Sequence, residues 1–480
     1  MRIESRSQIC KCPLEAAAFT LTLAYRLVFF MHPVRIATGI LSLAIAIFAL
    51  IEHPFLGAPN GIGGYDIILL LGAAVLAACC FLSVKLNASL LMLAISSLFT
   101  FMAVEFGARM ILSAKYYPPF EFHERHMFAP AAGVRGEFQH TPGNGGEVVN
   151  FRINKDGFRG EELLPQGQAL RVAVYGDSFV EALFTPLEET FTERLEYYLS
   201  ELLARPVEVV NAGVASYGPD QVIEKLREEL PQLQPDLILL GVFGGNDFGD
   251  IIRNKMYRLD DNGRLLKNDY SLGANIKNSL EVNRRESIIK RIIRRLRKGL
   301  SASESSSLQS MSEEELVELF LQTNLDEFEN YIEQGDDTVR NIWVDYYNAD
   351  MSIYPERDST IYKAQLMQET LGEINSIATK TNTPTAMFFI PHPMDVIGEH
   401  SSGRIDTNKF PDYVASNPTD VLAKSATVLN IPHVNLFDIF ATSEPKNLYL
   451  VDKDDHWNST GQDLAANATS KYLLAIGLVK

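Results

Sequence analysis

Cysteine is scarce in this 480-residue sequence: four occur, at positions 10, 12, 79 and 80, and none follows. A disulfide framework is therefore excluded for everything after residue 80, whichever compartment holds it. Positive charge is also short. Lys and Arg number 43 against 60 Asp and Glu, a formal net charge of −17. The deficit is uneven, since residues 1–106 balance to +1 and the remainder to −18. So acidic a surface repels phosphate backbones, which argues against nucleic acid as a partner. With 46% apolar and 21% charged residues, disorder, collagen and coiled coil are excluded as well. The length suits two or three domains.

What the first hundred residues do hold is long uncharged runs, at 36–51, 67–84 and 86–104. A membrane span needs roughly 20 mostly apolar residues, and flanking Lys or Arg can extend a short one by snorkelling. Helices apolar on all faces need lipid or a very large core. Residues 1–106 are thus expected to be a membrane anchor with the lipid bilayer as partner and spans at about 35–52, 66–84 and 86–105. The stretch 16–34 carries Arg26 at its middle and is broken by His32-Pro33. It reads as an interfacial helix, with a fourth span as the alternative. Arg2, Arg6, Lys11, Arg26 and Arg35 gather at the N-terminal side, whereas the loop 52–66 has no base. By the positive-inside rule, three spans put everything after residue 106 outside, on the extracytoplasmic side. A fourth would change that sidedness.

Residues 107–170 read as a neck, interrupted by Pro118, Pro119, Pro130, Pro142 and the run Gly143-Asn144-Gly145-Gly146. From residue 171 short apolar strands alternate with helices. Strands are expected at 171–175, 207–210, 237–242, 385–390 and 433–436. Helices are expected at 187–203, 219–230, 362–379, 421–429 and 461–474. Such alternation predicts an α/β fold, a parallel sheet covered on both faces, over 171–480. A polar helical insertion occupies about 250–355. Within it, 284–298 forms a basic amphipathic pattern with Ile288, Ile289, Ile292, Ile293 and Leu296 on one side. That face either rests on anionic lipid or packs on its own domain.

Sites on such sheets form beyond the carboxyl ends of the strands. Several residues there are polar: Gly176-Asp177-Ser178-Phe179 after the first strand, Gly244-Gly245-Asn246-Asp247 after the third, and Asp452-Lys453-Asp454-Asp455-His456-Trp457-Asn458 before the last helix. A serine, an amide and an acid–His pair at one edge supply a nucleophile, an oxyanion donor, a base and its orienting carboxylate.

These blocks resemble the SGNH, or GDSL-like, hydrolases. Gly176-Asp177-Ser178-Phe179 is similar to that family's first block, Asn211-Ala212-Gly213 to the start of its second, Gly244-Gly245-Asn246-Asp247 to its third, and His456 in a His-x-Asn-x-x-Gly setting to its last. Asn154-Lys155-Asp156-Gly157-Phe158-Arg159-Gly160 resembles the lead-in of membrane-anchored bacterial members. The likeness covers roughly 150–480 without most of the insertion. It implies a three-layer, flavodoxin-like parallel-sheet domain and a serine esterase with no metal and no cofactor. Ser178 would be the nucleophile, His456 the base and Asp454 the acid, with Asp452 and Asp455 as alternatives. Ser216 and Asn246 would donate to the oxyanion, with Gly213 as the fallback donor.

There are departures from the pattern. Lys453 stands three residues before His456, where the family places Asp, and Ser216 stands where it places Gly. Val180 replaces the second Gly of a Gly-x-Ser-x-Gly elbow, which argues against the α/β-hydrolase family. His392, after the fourth strand, is expected near the site edge, as a substrate contact or a structural residue. The resemblance implies an acyl-ester substrate, for instance an O-acetyl group on a surface glycan or lipid. The alternatives are an O-acyltransferase acting on a surface polysaccharide and a catalytically silent binding module. A metallophosphoesterase is disfavoured, because the His-rich and Asp-x-His clusters it needs earlier in the chain are missing.

Overall fold

A computed structural model describes residues 32–51, 64–112, 120–139, 148–268, 289, 311–333, 347–400, 403–450 and 454–480. The segment 16–31 with Arg26, the loop 52–63, the glycine run 143–146, the basic stretch 284–298 apart from Ile289, and Asp452 with Lys453 lie outside the described residues. The chain divides into two units, Met1–Leu112 with Arg285–Leu296, and Ser113–Arg284 with Arg297–Lys480.

In the first unit, α1 (Pro33–Leu50) starts at His32, whose side chain accepts the Val34 N–H, with Pro33 at the first helical position. It is followed by α2 (Gly64–Cys79) and α3 (Val84–Leu112). Helix α1 and the Val84–Ala108 part of α3 are long and apolar enough to cross a bilayer, with mean hydropathies of 2.0 and 1.9. The expected middle span is shorter than its uncharged run suggests. Helix α2 has 16 residues and reaches about 24 Å at 1.5 Å per residue, against about 30 Å of hydrocarbon.

Polarity in this unit is inverted. Arg35, Thr38, Ser42, Asp66, Asn87 and Glu105 are buried, while Ile40, Leu43, Ile68, Leu71, Leu93 and Phe99 are exposed. The buried groups bond across helices: Thr38 Oγ1 donates to Asn87 Oδ1 at 2.7 Å, Ser42 Oγ to the Ala73 carbonyl at 2.8 Å, and Arg35 to the Leu82 carbonyl at 2.9 Å. Ile289 donates its N–H to Glu105 at 3.2 Å.

The second unit begins with two antiparallel hairpins within the expected neck, β1 (Phe120–His123) with β2 (Met127–Pro130) and β3 (Arg135–Gln139) with β4 (Val148–Arg152). Then come β5 (Leu170–Tyr175), the four-residue α4 (Ser178–Glu181), α5 (Phe191–Leu203), β6 (Val207–Asn211), α6 (Pro219–Leu233), β7 (Leu237–Phe243) and α7 (Asp247–Asn254). A small hairpin, β8 (Tyr257–Leu259) and β9 (Leu265–Lys267), opens the insertion, and α8 (Glu313–Ile332) and α9 (Ala349–Ile353) follow. The chain continues through α10 (Asp358–Lys380), β10 (Thr385–Ile390), α11 (Pro393–Ile397), the short pair β11 (Glu399–His400) and β12 (Gly403–Arg404), α12 (Asn417–Val428), β13 (His433–Asn435), α13 (Phe437–Ala441) and α14 (Ser459–Ala475).

Five strands form one parallel sheet in the order β13-β10-β7-β5-β6. Numbered along the chain this is the flavodoxin-like order 2-1-3-4-5, whose ligands sit where the order reverses, between the first and third strands. Here those strands are β5 and β7.

Both sheet faces are dry because successive side chains alternate. From β5, Val172 and Val174 face one layer with Phe191, Leu195 and Leu199 of α5 and Ala465, Ala466 and Leu473 of α14. Ala173 and Tyr175 face the other, with Val222, Ile223, Leu226 and Leu230 of α6, Leu371 and Ile374 of α10, and Leu422 of α12. Burying each large aliphatic or aromatic side chain contributes about 1.5–3 kcal/mol, which fixes the strand ends against the helices that carry the site.

Candidate active site

The turn after β5 is forced tight by its neighbours. A Cβ on Gly176 would lie 2.5 Å from Val180 Cγ2 and 3.0 Å from the Gly241 carbonyl oxygen. Asp177 then caps α4, accepting the Phe179 N–H at 2.9 Å. Ser178 is thereby the first residue of α4, and Ala182, left-handed at φ 53, ends it.

Ser178 Oγ lies 2.7 Å from His456 Nε2, although 278 residues separate them. On the other side of the ring, His456 Nδ1 is 2.6 Å from Asp454 Oδ1. The same oxygen accepts the His456 backbone N–H at 2.9 Å. This double acceptance shows how a carboxylate two residues before the histidine reaches its ring: it folds back over its own turn. Phe179 stacks on the imidazole at 4.7 Å and Phe184 meets it edge-on at 5.0 Å.

The rest of the His-x-Asn-x-x-Gly motif holds this turn in place. Asn458 Oδ1 caps α14 by accepting the Thr460 and Gly461 N–H groups at 3.0 and 3.1 Å. A Cβ on Gly461 would lie 2.3 Å from the Leu448 carbonyl oxygen. Trp457 Nε1 donates to the Phe179 carbonyl at 3.0 Å, tying the His456 loop to the helix that Ser178 starts.

Asp455 is a second carboxylate on the ring. Its Oδ1 is 3.5 Å from His456 Nδ1 and its Oδ2 3.5 Å from His392 Nε2. Burial alone would raise its pKa, but the His392 N–H turned toward it and the charge of His456 outweigh burial and hold the carboxyl below its ordinary range. His392 Nδ1 accepts the Met394 N–H at 3.1 Å, so Nε2 carries the proton turned to Asp455. His392 is buried, against Tyr347 at 4.5 Å, and holds the site from within.

The expected oxyanion donors lie on the segments that follow β6 and β7, the two strands that flank β5. Asn246, buried, precedes α7 after β7. Ser216 stands in the loop after β6 with φ +64. That left-handed backbone is why a glycine would be at home there, and an L-residue holds it at a cost of about 1–2 kcal/mol. Gly213, the fallback donor, is engaged elsewhere: its N–H donates to Asn211 Oδ1 at 3.2 Å. A Cβ there would lie 2.4 Å from the Glu181 nitrogen, so its glycine serves close approach to α4. Asn211 Nδ2 completes that clamp by donating to the Val180 carbonyl at 2.8 Å.

Two supporting residues carried no assignment from sequence. Arg159, in the lead-in motif, is buried and donates to the carbonyls of Glu181, Ala182 and Thr185, just where α4 ends. A cation there complements the orphan carbonyls of the helix, although burial lowers its pKa to about 10. Glu181 accepts the Ala215 N–H at 2.9 Å, linking α4 to the Ser216 loop. Burial raises its pKa, against the bond from Ala215 and the charges of Arg159 and His456. Only the Asn-Lys-Asp-Gly-Phe-Arg-Gly run hinted at the first of these. Among the described residues, two groups of ligand-type side chains could hold a metal ion, Asp454 with Asp455 and His456, and His123 with His126 and Glu228. At the first, a metal on Nδ1 would displace the Asp454 hydrogen bond.

No family model matches this chain, and no curated protein matches it. Among solved structures, it is similar to a two-domain esterase active on acetylated mannans, at 11% identity and a TM-score of 0.32, over 65% of this chain and 50% of that one. The chain thus spans about half of that protein's length. It is also similar to a psychrotrophic esterase from Pseudoalteromonas sp., at 12% identity and a TM-score of 0.30 over 64% of this chain and 98% of that one. A lipase/acylhydrolase from Enterococcus faecalis gives 10% and 0.31 over 64% and 96%. Likeness this slight bears no weight on the chemistry.

Proposed function

We propose that this chain is a membrane-anchored serine esterase that removes an acyl group, such as O-acetyl, from a cell-surface glycan or lipid. The observation that carries the reading is the continuous relay from Ser178 Oγ through His456 to Asp454, with separations of 2.7 and 2.6 Å. His456 Nε2 takes the Ser178 proton as Oγ attacks the ester carbonyl. The Ser178 and Ser216 N–H groups and the Asn246 amide stabilise the oxyanion. His456 then protonates the departing alcohol, and a water activated by the same nitrogen releases the acid. Asp454 holds the ring in the tautomer that leaves Nε2 free to accept. A fluorophosphonate probe tests this, since it should label Ser178 and should fail on Ser178→Ala.

The anchoring reading rests on the first unit's inverted polarity, with cross-helix polar bonds inside and Ile, Leu and Phe outside. Buried polar groups between apolar helices are how helices associate in lipid. In this reading α1, α2 and α3 span the bilayer, α2 with local thinning or snorkelling, and residues 107–480 lie on the outer side. Protease added to intact spheroplasts should then cleave the 107–480 region. Protection there, with cleavage only after lysis, would contradict it.

A further inference from the structure

The turn between β1 and β2 brings a second set of ligand-type side chains together, none of them shared with the Ser178 site. His123 ends β1, His126 precedes β2, and Glu228 lies on α6. His123 Nε2 is 3.3 Å from Glu228 Oε1, and His126 Nε2 is 4.0 Å from Glu228 Oε2. One ligand atom from each residue lies within 4.8 Å of the other two. Zinc bonds of about 2.0–2.1 Å in tetrahedral geometry separate neighbouring ligand atoms by about 3.3–3.4 Å. The cluster therefore needs only a modest contraction to enclose an ion.

Proton placement gives an independent argument. The Tyr217 hydroxyl donates its proton to the Phe128 carbonyl oxygen. The Tyr217 oxygen is also 2.6 Å from His126 Nδ1, with the same carbonyl 3.0 Å away. With the hydroxyl proton committed, Nδ1 must be the donor. The lone pair of Nε2 then faces the Glu228 carboxylate, two electron-rich groups across a gap that suits a cation. A ring N–H held by a carbonyl is also how histidine ligands are oriented for metals. The His123 ring stacks on His126 at 3.6 Å and its side chain is 28% exposed. Its Nδ1 accepts the Arg125 N–H at 3.4 Å, so an ion on its Nε2 requires that weak bond to break, the proton to move to Nδ1 and the ring to tilt. Lys225, the nearby cation on α6, is engaged by Glu229 at 2.5 Å.

We infer that His123, His126 and Glu228 form a binding site for a divalent transition-metal ion, zinc by ligand type, with a fourth position open to water. The ion ties the β1–β2 hairpin to α6. Through Tyr217 it also steadies the loop that carries Ser216. Its role is structural, and it stands whether or not the esterase reading holds.

The test uses the full-length protein in detergent, stripped with a chelator and re-equilibrated with Zn²⁺ or Co²⁺. The parent should retain one equivalent of zinc after desalting, melt at a higher temperature with zinc, and give the visible bands of tetrahedral Co²⁺. His123→Gln and Glu228→Gln alter partly exposed side chains and should each weaken zinc binding by about 100-fold or more. Asp454→Asn should keep this equivalent, and any zinc that it removes belongs to the other cluster. Should one variant fail to fold, the other decides together with the Co²⁺ spectrum of the parent. A parent that retains no stoichiometric zinc, or zinc that survives in both His123→Gln and Glu228→Gln, overturns the inference.

Discussion

Replacing Asp454 by Asn tests the relay at its most exposed joint. One oxygen, Asp454 Oδ1, accepts both the ring N–H and the backbone N–H of His456, at 2.6 and 2.9 Å. An Asn in the same pose keeps an acceptor but not the charge that stabilises the imidazolium. In the flipped pose its NH₂ favours the wrong tautomer. Asp→Asn in a serine-protease triad lowers kcat by about 10⁴, or about 5.4 kcal/mol at 1.36 per decade. Here Asp455 leaves a second negative charge 3.5 Å from the same nitrogen, too far for a good hydrogen bond but close enough to act through space. The expected loss is therefore about 10³–10⁴ for Asp454→Asn and a few-fold for Asp455→Asn, with the double variant reaching about 10⁴. The assay is kcat and KM on a chromogenic short-chain ester, with circular dichroism as the check on folding. If Asp455→Asn or Asp452→Asn proves the more damaging, or Asp454→Asn stays within tenfold, the assignment of the acid is wrong.

Asn246→Ala should lower kcat by about 10²–10³ with KM nearly unchanged, because its amide acts only on the developing oxyanion. Ser216→Ala and Ser216→Gly should stay within a few-fold, since the backbone N–H remains and φ +64 suits glycine. Equal harm at 246 and 216 would mean that the Ser216 hydroxyl acts directly. Burial raises the Asp220 carboxyl from 3.8 to about 7, despite the bonds from Asn254 and Gln221. Between about pH 4 and 7 the folded protein then holds a proton that the unfolded chain has lost. Stability should fall as pH rises through that window, by up to about 1.4 kcal/mol per unit, and level off above it. Asp220→Asn should flatten the dependence of melting temperature on pH there, and an unchanged slope would count against it.

The sheet was legible because its strands other than the edge strand β13 are buried on both faces and so read as apolar runs. The run 385–390 coincides with β10, and 237–242 falls one residue short of β7. Helix ends moved where local signals mislead. The helix expected at 219–230 runs on to Leu233 as α6, with Pro231 inside it. The hairpins of residues 120–152 fall in the expected neck, where Pro118, Pro119, Pro130 and Pro142 interrupt any periodic pattern in the sequence. At the site, Ser178 showed through its place after a strand and His456 through its place before the last helix. Among the three aspartates within four residues of His456, only the resemblance singled out Asp454; the fold-back of the turn places its Oδ1 2.6 Å from the ring nitrogen, against 3.5 Å for Asp455. Arg159 was unreadable as a support, since its carbonyl partners lie 22 to 26 residues away and converge only when α4 ends.

The most direct test of the central claim is active-site labelling of the full-length protein with a fluorophosphonate, read by mass spectrometry of the modified peptide. The relay predicts one equivalent of label on Ser178, none on Ser178→Ala, and much slower labelling of His456→Ala. An intact, folded protein that takes no label at Ser178, or takes the same label after Ser178→Ala, would contradict the account.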